Sequence, residues 1–228
     1  MAVNESSAGV IAEVGQVAFS ALHITPKPTA PSTSLGAYRI ASTTGTLAAA
    51  LAALAQIFYV RWTDATRFFV LHRFVARFQT LTLFTAAQLV DFGFDLIKVT
   101  AVSAGGSGTD LGALAKTKMR SSMGASLLDT AGLMRISTTA ALTALTTVDA
   151  TSIAQSLGDQ QRMNPTAATE EQRINDPTLE YFADIGAGEY PLVLTQNEGL
   201  VLRNRTLWPA AGTGIVQIEM SWSEVAAF

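Results

Sequence analysis

Apolar and polar positions alternate with a period of two through most of the chain after Gly36. Ala37, Arg39 and Ala41 alternate with Tyr38 and Ile40. In residues 56–62, Phe58, Val60 and Trp62 face one way, and Ile57, Tyr59 and Arg61 the other. The run 67–78 places Phe68, Val70, His72, Phe74 and Phe78 on one face, opposite Arg73, Val75 and Arg77. Leu81 and Leu83 alternate with Thr80 and Thr82, and Phe92, Phe94 and Leu96 with Gly93 and Asp95. The strictest stretch is near the end, where Val216, Ile218, Met220 and Trp222 alternate with Gln217, Glu219, Ser221 and Ser223. Such alternation marks a half-buried antiparallel strand, and aromatic and β-branched enrichment favours strand over helix. Residues 133–136, 190–194 and 199–203 add further strands, with Pro191 near the start of its strand, where proline is tolerated. The pattern predicts eight to ten short strands in an all-β fold, an antiparallel β-sandwich of jelly-roll-like form.

Several segments break the alternation. Residues 46–55 (TLAAALAALA) are rich in the strongest helix formers, so a single helix on the β framework is open there beside an extended reading. The wider apolar run 47–60 contains Gln56 and falls short of a membrane span. Residues 23–35 hold three prolines among Thr and Ser, which predicts an extended arm able to lie across a neighbouring subunit, or an ordinary connection. The domain reading is an N-terminal arm over 1–35 and a sandwich over 36–228. Within the sandwich, residues 147–178 form a polar excursion, well past ordinary loop length. A helical stretch near 167–174 is compatible with that excursion. Residues 62–66 and 209–214 read as turns and 104–109 as a Gly-rich loop. Residues 110–123 read as a loop with a helical turn.

Composition sharpens this picture. Charged residues are 14% of the 228, against roughly 25% in an ordinary soluble protein, and 15 Lys+Arg face 18 Asp+Glu. Ala and Thr together make up about a quarter of the chain. Such a surface is polar but weakly ionised, as expected where neighbours cover it, because interface cores are depleted in Lys, Glu and Asp. The balance excludes a polybasic nucleic-acid binder, and 49% hydrophobic content excludes a disordered tail. With no Cys, neither a disulfide scaffold nor a thiolate metal site is available. No basic n-region with an apolar core opens the chain, so no secretory signal is expected. The patterns Asn4-Glu5-Ser6 and Asn204-Arg205-Thr206 therefore read as chance matches to a glycosylation site.

Motifs for chemistry are lacking. His23, beside the Pro-rich arm, and His72, on an apolar strand face, sit in different contexts and read as surface or packed residues. Gly105-Gly106-Ser107-Gly108 has the wrong spacing for a nucleophile elbow. No P-loop string occurs, and Gly186-Ala187-Gly188 and Gly212-Thr213-Gly214 read as turns. Asp91 and Asp95 are placed on one strand face and Glu170 with Glu171 in the polar excursion, all as solvated charge. Asp149 and Asp159 are too isolated for a calcium loop. Arg61, Arg67, Arg73 and Arg77 fall on two neighbouring strands, and Lys116, Lys118 and Arg120 recur at period two. Both groups read as ion-pair or interface residues before phosphate binders. The expectation is no catalytic, cofactor-binding or metal residue, no cofactor and no enzyme.

The order of segments carries a resemblance. IFYVRWTD (57–64), FTAAQLVDF (84–92), KMRSSMG (118–124), MRISTTAAL (134–142), EYPLVLTQNEG (189–199) and the terminal strand 214–222 follow one another. Together they resemble a group of virion structural proteins from tailed bacteriophages and environmental viral sequences, over residues 47–225. The Gln196-Asn197-Glu198-Gly199 turn between two strands is the most specific piece. The long polar excursion and the Pro-rich arm depart from the group. The resemblance implies a place in the virion, after synthesis in the host cytoplasm, and no functional residues carry over. The expected role is a non-enzymatic capsid decoration or cement protein, a homo-oligomer that binds copies of itself and major capsid or other virion proteins. No small-molecule substrate, nucleic acid or membrane is expected as a partner. A tail, connector or fibre-associated protein is the near alternative, and a carbohydrate-binding β-sandwich module the alternative of another class. Against the latter, Trp62 and Trp222 are committed to strand faces, leaving Trp208 in a loop before Pro209.

Overall fold

A computed structural model describes residues 34–226 apart from 83, 85–88, 102–105, 146, 157–159, 163–176 and 184–189, together with two short strands at 4–5 and 11–12. The arm readings around His23, the helix at 167–174, Glu170, Glu171, Asp159 and Gly186-Ala187-Gly188 lie outside the described residues. Among the described residues there is no helix.

The strands are β1 (Asn4–Glu5), β2 (Ile11–Ala12), β3 (Ser34–Thr43), β4 (Gln56–Arg61), β5 (Phe68–Thr82), β6 (Leu89–Asp91), β7 (Phe94–Ala101), β8 (Thr109–Asp110) and β9 (Thr117–Lys118). They continue with β10 (Met134–Ile136), β11 (Thr147–Val148), β12 (Ala154–Gln155), β13 (Gln160–Arg162), β14 (Thr178–Phe182), β15 (Leu192–Leu194), β16 (Gly199–Asn204) and β17 (Thr213–Val225). The count exceeds the eight to ten predicted because short segments add pairings: β8, β9, β11, β12 and β15 on strands of the two large sheets, and β1 with β2 and β6 with β13 by themselves. One sheet runs β11-β7-β16-β4-β10-β8, with β12 also on β7; the other runs β14-β5-β17-β3-β9, with β15 also on β5. All pairings between strands are antiparallel, and the two sheets pack face to face as a sandwich. The long strands divide between the sheets: β3, β5 and β17 in one, β4, β7 and β16 in the other. Asn197 is in the left-handed region with φ 66°, so the Gln196-Asn197-Glu198-Gly199 turn reverses the chain sharply between β15 and β16, which belong to different sheets.

The inward stripes form one core. Val216, Ile218, Met220 and Trp222 of β17 point into it as the alternation requires, with Phe58, Val60 and Trp62, and with Phe92, Phe94 and Leu96. The β5 reading needs correction. Its core residues are Phe69, Leu71, Phe74, Ala76 and Phe78, so Phe68, Val70 and His72 belong to the opposite face. The cause is a bulge: Ser221 pairs Arg73 and the next residue, Trp222, pairs Leu71, leaving His72 as the extra residue. A single inserted residue inverts side-chain parity on either side of it.

The proposed helix at 46–55 is also absent. Ala50 and Leu54 adopt left-handed conformations, with φ of 57° and 61°, in two successive turns. The backbone there bonds to distant chain: Leu47 N–H to Gly214 O at 2.8 Å, Ala50 N–H to Pro209 O at 2.7 Å, and Trp208 N–H to Leu51 O at 2.9 Å. These tertiary bonds replace the local i to i−4 ladder that alanine and leucine otherwise favour. Trp208, expected in an open loop, is thereby drawn into the core.

The two sheets differ on their outer sides. On the β4–β16–β7 sheet, Tyr59, Val99 and Val201 face outward yet are fully buried, because Leu142, Leu145 and Val148 cover them. Gln56 holds this cover: Leu145 N–H donates to its Oε1 at 2.9 Å, and its Nε2 donates to Leu145 O at 3.4 Å. The start of the polar excursion runs on along β7, where Asp149, Ile153 and Ser156 N–H groups bond to Lys98, Leu96 and Phe94 carbonyls. The other sheet carries no such cover among the described residues.

Loop 106–133 closes one edge. Its β8 joins β10 of one sheet and its β9 joins β3 of the other, so it bridges the sandwich. Lys116 is buried inside it and donates from Nζ to Leu111 O at 2.7 Å, Leu114 O at 2.6 Å and Leu128 O at 3.2 Å, with Asp129 Oδ1 at 3.4 Å. Glu224, buried at the end of β17, accepts from Ser126 Oγ at 2.6 Å, Leu127 N at 3.1 Å and Trp222 Nε1 at 3.3 Å. Burial pushes the Glu224 carboxyl above its ordinary range, an effect these donors offset only in part. The neighbouring Tyr38 hydroxyl is pushed up to about 12 by burial, then by Glu224 and Asp129.

Candidate functional site

The residues singled out for chemistry do not converge. Arg61 lies on β4 in one sheet, and Arg73 and Arg77 on β5 in the other, so they do not occupy neighbouring strands. Lys116 is buried within its loop, whereas Lys118 and Arg120 are exposed. Asp91 is on β6, paired to β13, and Asp95 is on β7, so the two do not share a strand face. Asp95 is buried between Arg203 at 3.6 Å and Arg205 at 3.2 Å, and Arg205 Nη2 also bonds Ser156 Oγ at 3.0 Å. Asn204, of the second glycosylation pattern, is buried and donates to Ala52 O and Thr206 O at 2.9 and 2.8 Å. Among the described residues no cluster of three His, Asp or Glu could hold a metal, and no helix is long and apolar enough to cross a membrane.

His72 is half-buried at the bulge, with Nε2 2.9 Å from Ser223 Oγ. Burial lowers its pKa below the ordinary 6.5. The unfolded chain therefore takes up this proton first. His72 contributes full stability above pH 6.5 and loses it as pH falls through 6.5 towards the folded value. Glu224 acts in the opposite sense, since its raised folded value weakens the fold as pH rises past 4.5. Thermal melts from pH 7.5 to 5.5 are expected to show a steeper acid loss for the wild type than for H72N. Parallel curves would refute this assignment.

The outer face of the β3–β17–β5–β14 sheet, over which no cover lies among the described residues, is an ordered grid. Antiparallel register sets three rows across it: Thr43, Gln217, Arg77, Thr178; Ala41, Glu219, Val75, Glu180; and Arg39, Ser221, Arg73, Phe182. Directly opposed residues in such rows share a face. The middle row is low, because Ala41 is small and Val75 is buried, and a trough of about 360 Å³ lies over it. Arg73 walls one side and Arg77 and Gln217 the other. Glu219 sits on the floor, 3.2 Å from Arg73 and 3.6 Å from Arg39. Arg73 also lies over the exposed Phe182 ring, 5.1 Å from its centroid. The grid follows from the β17 alternation, but only pairing across four strands shows which residues share a row.

Sequence reasoning missed the exposed apolar side chains. Leu54 and Leu207 are 52% and 61% exposed, and Leu81 is also exposed. They lie where loop 46–55, loop 205–212 and the end of β5 meet, joined by the Trp208–Leu51 and Asn204–Ala52 bonds and the Thr213–Thr82 pairing. Leu114, Met119 and Tyr190 are exposed elsewhere. Nothing in the alternation distinguishes these residues from core leucines.

No family model, no curated protein and no solved structure matches the chain.

Proposed function

We propose that this chain is a non-enzymatic structural subunit of a tailed-phage particle, a capsid decoration or cement protein that clamps neighbouring subunits. The observation that carries the reading is the pairing of a weakly charged surface with the exposed Leu54, Leu81 and Leu207 end. Exposed apolar side chains on segments held together by hydrogen bonds fit a contact with another protein. The two outer sides support it as well. One sheet is sealed by the chain's own Leu142–Val148 cover, and the other offers a broad regular face to a neighbour. The segment order quoted above points the same way. The partners are copies of this chain and major capsid subunits.

Quantitative mass spectrometry or a density map of purified particles tests the role. Many copies spread over the head are expected. A handful at one vertex would replace decoration with a connector or tail position, and absence from particles would end the reading. The exposed Phe182 and Tyr190 keep a second reading in view, a carbohydrate-binding sandwich. A glycan array with specific hits abolished by alanine at Phe182 would favour that reading over the first.

A further inference from the structure

Three features invite a role beyond the fold: the buried Glu224 tether, the Leu142–Val148 cover, and the trough on the open sheet. The first two are consumed by internal hydrogen bonds and core contacts. The trough is not. Glu219 on its floor is already neutralised by Arg39 and Arg73. Arg77, on the opposite wall, is exposed and opposed across the sheet by the neutral Gln217 and Thr178. It makes no ion pair among the described residues. The next carboxylate on the grid, Glu180, is opposite Val75, one row away. Arg39, Arg73 and Arg77 against Glu219 and Glu180 leave the grid at +1 by formal count, on a chain whose net charge is −3. An arginine fork without a carboxylate, beside the Gln217 amide and the Thr43 hydroxyl, is built to receive one.

We propose that the trough seats an extended acidic peptide segment of a neighbouring subunit, with one of its carboxylates held by Arg77. The trough crosses the strands between two rows of side chains, a width suited to a single extended chain. Gln217 and Thr43 offer polar partners for that chain's backbone, and Arg77 selects the acidic side chain. The choice of a protein partner rests on the assembly reading above. The test below concerns the trough alone, so its failure leaves the particle location to be judged by copy number.

The probe is an acetylated, amidated octapeptide of alternating Glu and Ser, titrated into the full chain by calorimetry at low salt. Binding is expected, with affinity about tenfold weaker for R77A, the range of one charge-assisted pair. Arg77 has no ion-pair partner among the described residues, so R77A should melt like the wild type. R120A, which removes another exposed cation, in loop 106–133, should bind like the wild type. Equal binding of the matching Lys-Ser peptide, an R77A affinity unchanged from wild type, or no binding would each overturn the proposal. So would binding of polygalacturonate in place of the peptide, which would assign the trough to an anionic sugar.

Discussion

Replacing Phe78 with alanine is expected to destabilise the protein by about 3–5 kcal/mol, the cost of emptying a large aromatic site in a packed core. Phe78 stands at the centre of a ring cluster. Its centroid lies 5.3 Å from Phe92, 5.1 Å from Trp208, 6.1 Å from Phe84 and 6.2 Å from Phe94. Phe84 and Phe92 are themselves 4.7 Å apart, and Trp208 meets Phe84 edge-on at 5.7 Å. These rings come from β5, β7 and three connecting segments, so one truncation loosens both sheets at the same end. Loops 46–55 and 205–212 are anchored there through Trp208. Denaturant melts of F78A should show the loss, and F78L, which keeps most of the volume, should lose much less. A loss below about 1 kcal/mol for F78A would mean that the cluster is not tightly packed.

Lys116→Met is expected to cost about 3–5 kcal/mol by a different route, because removing one member of a buried charged group strands its partners. Three carbonyls and the Asp129 carboxylate surround Nζ, an arrangement for a protonated amine with three N–H bonds. Burial drives this ammonium below its ordinary value, and Asp129 offsets only part of that. Methionine matches the length and offers no donor. The carbonyls of Leu114 and Leu128 would then lose their donor in the loop interior, and Leu111 O would keep only the Leu114 N–H at 3.2 Å. Asp129 would retain the backbone N–H groups of Lys116 and Ser126, at 2.9 and 3.2 Å. The damage should therefore be local as well as global. Hydrogen exchange should rise across residues 111–129 and at the β9–β3 pairing, while the β5–β17 pairing keeps its protection. A K116M protein with unchanged melting and unchanged exchange in this loop would show that the lysine is dispensable.

The two substitutions also differ in how visible their sites are in the amino-acid pattern. Phe78 belongs to a period-two run and is legible as core at once. Lys116 is one of three cations at period two, and nothing local separates it from the exposed Lys118 and Arg120. Its burial depends on Leu111, Leu114 and Leu128 carbonyls turning inward around it, which is loop geometry and not strand periodicity. Glu224 is similar. The β17 alternation ends with Trp222, yet Ser223, Glu224 and Val225 are all buried: His72 meets Ser223, and Ser126 and Leu127 of loop 106–133 meet Glu224. His72 shows the limit in the other direction. Its neighbours alternate cleanly, yet the alternation puts it on the wrong face, since the bulge arises from β17 register across the strand.

The candidate surface was legible only in part. Arg73 and Arg77 share a strand face in any two-residue repeat, and Glu219 faces away from Ile218 by the same rule. That these three side chains line one trough depends on β17 lying between β3 and β5.

Strand content, the inward stripe of β17 and the weakly ionised composition were determined by the chain itself, because a two-residue repeat and a residue count need no partner to be read. The helix forgone at 46–55, the parity switch at His72, the seal over Tyr59 and the trough beside Arg77 were decided by tertiary structure. In each of these, a backbone or side-chain group finds its hydrogen-bond or packing partner far along the chain. Local propensity, worth only tenths of a kcal/mol per residue, gives way to such contacts.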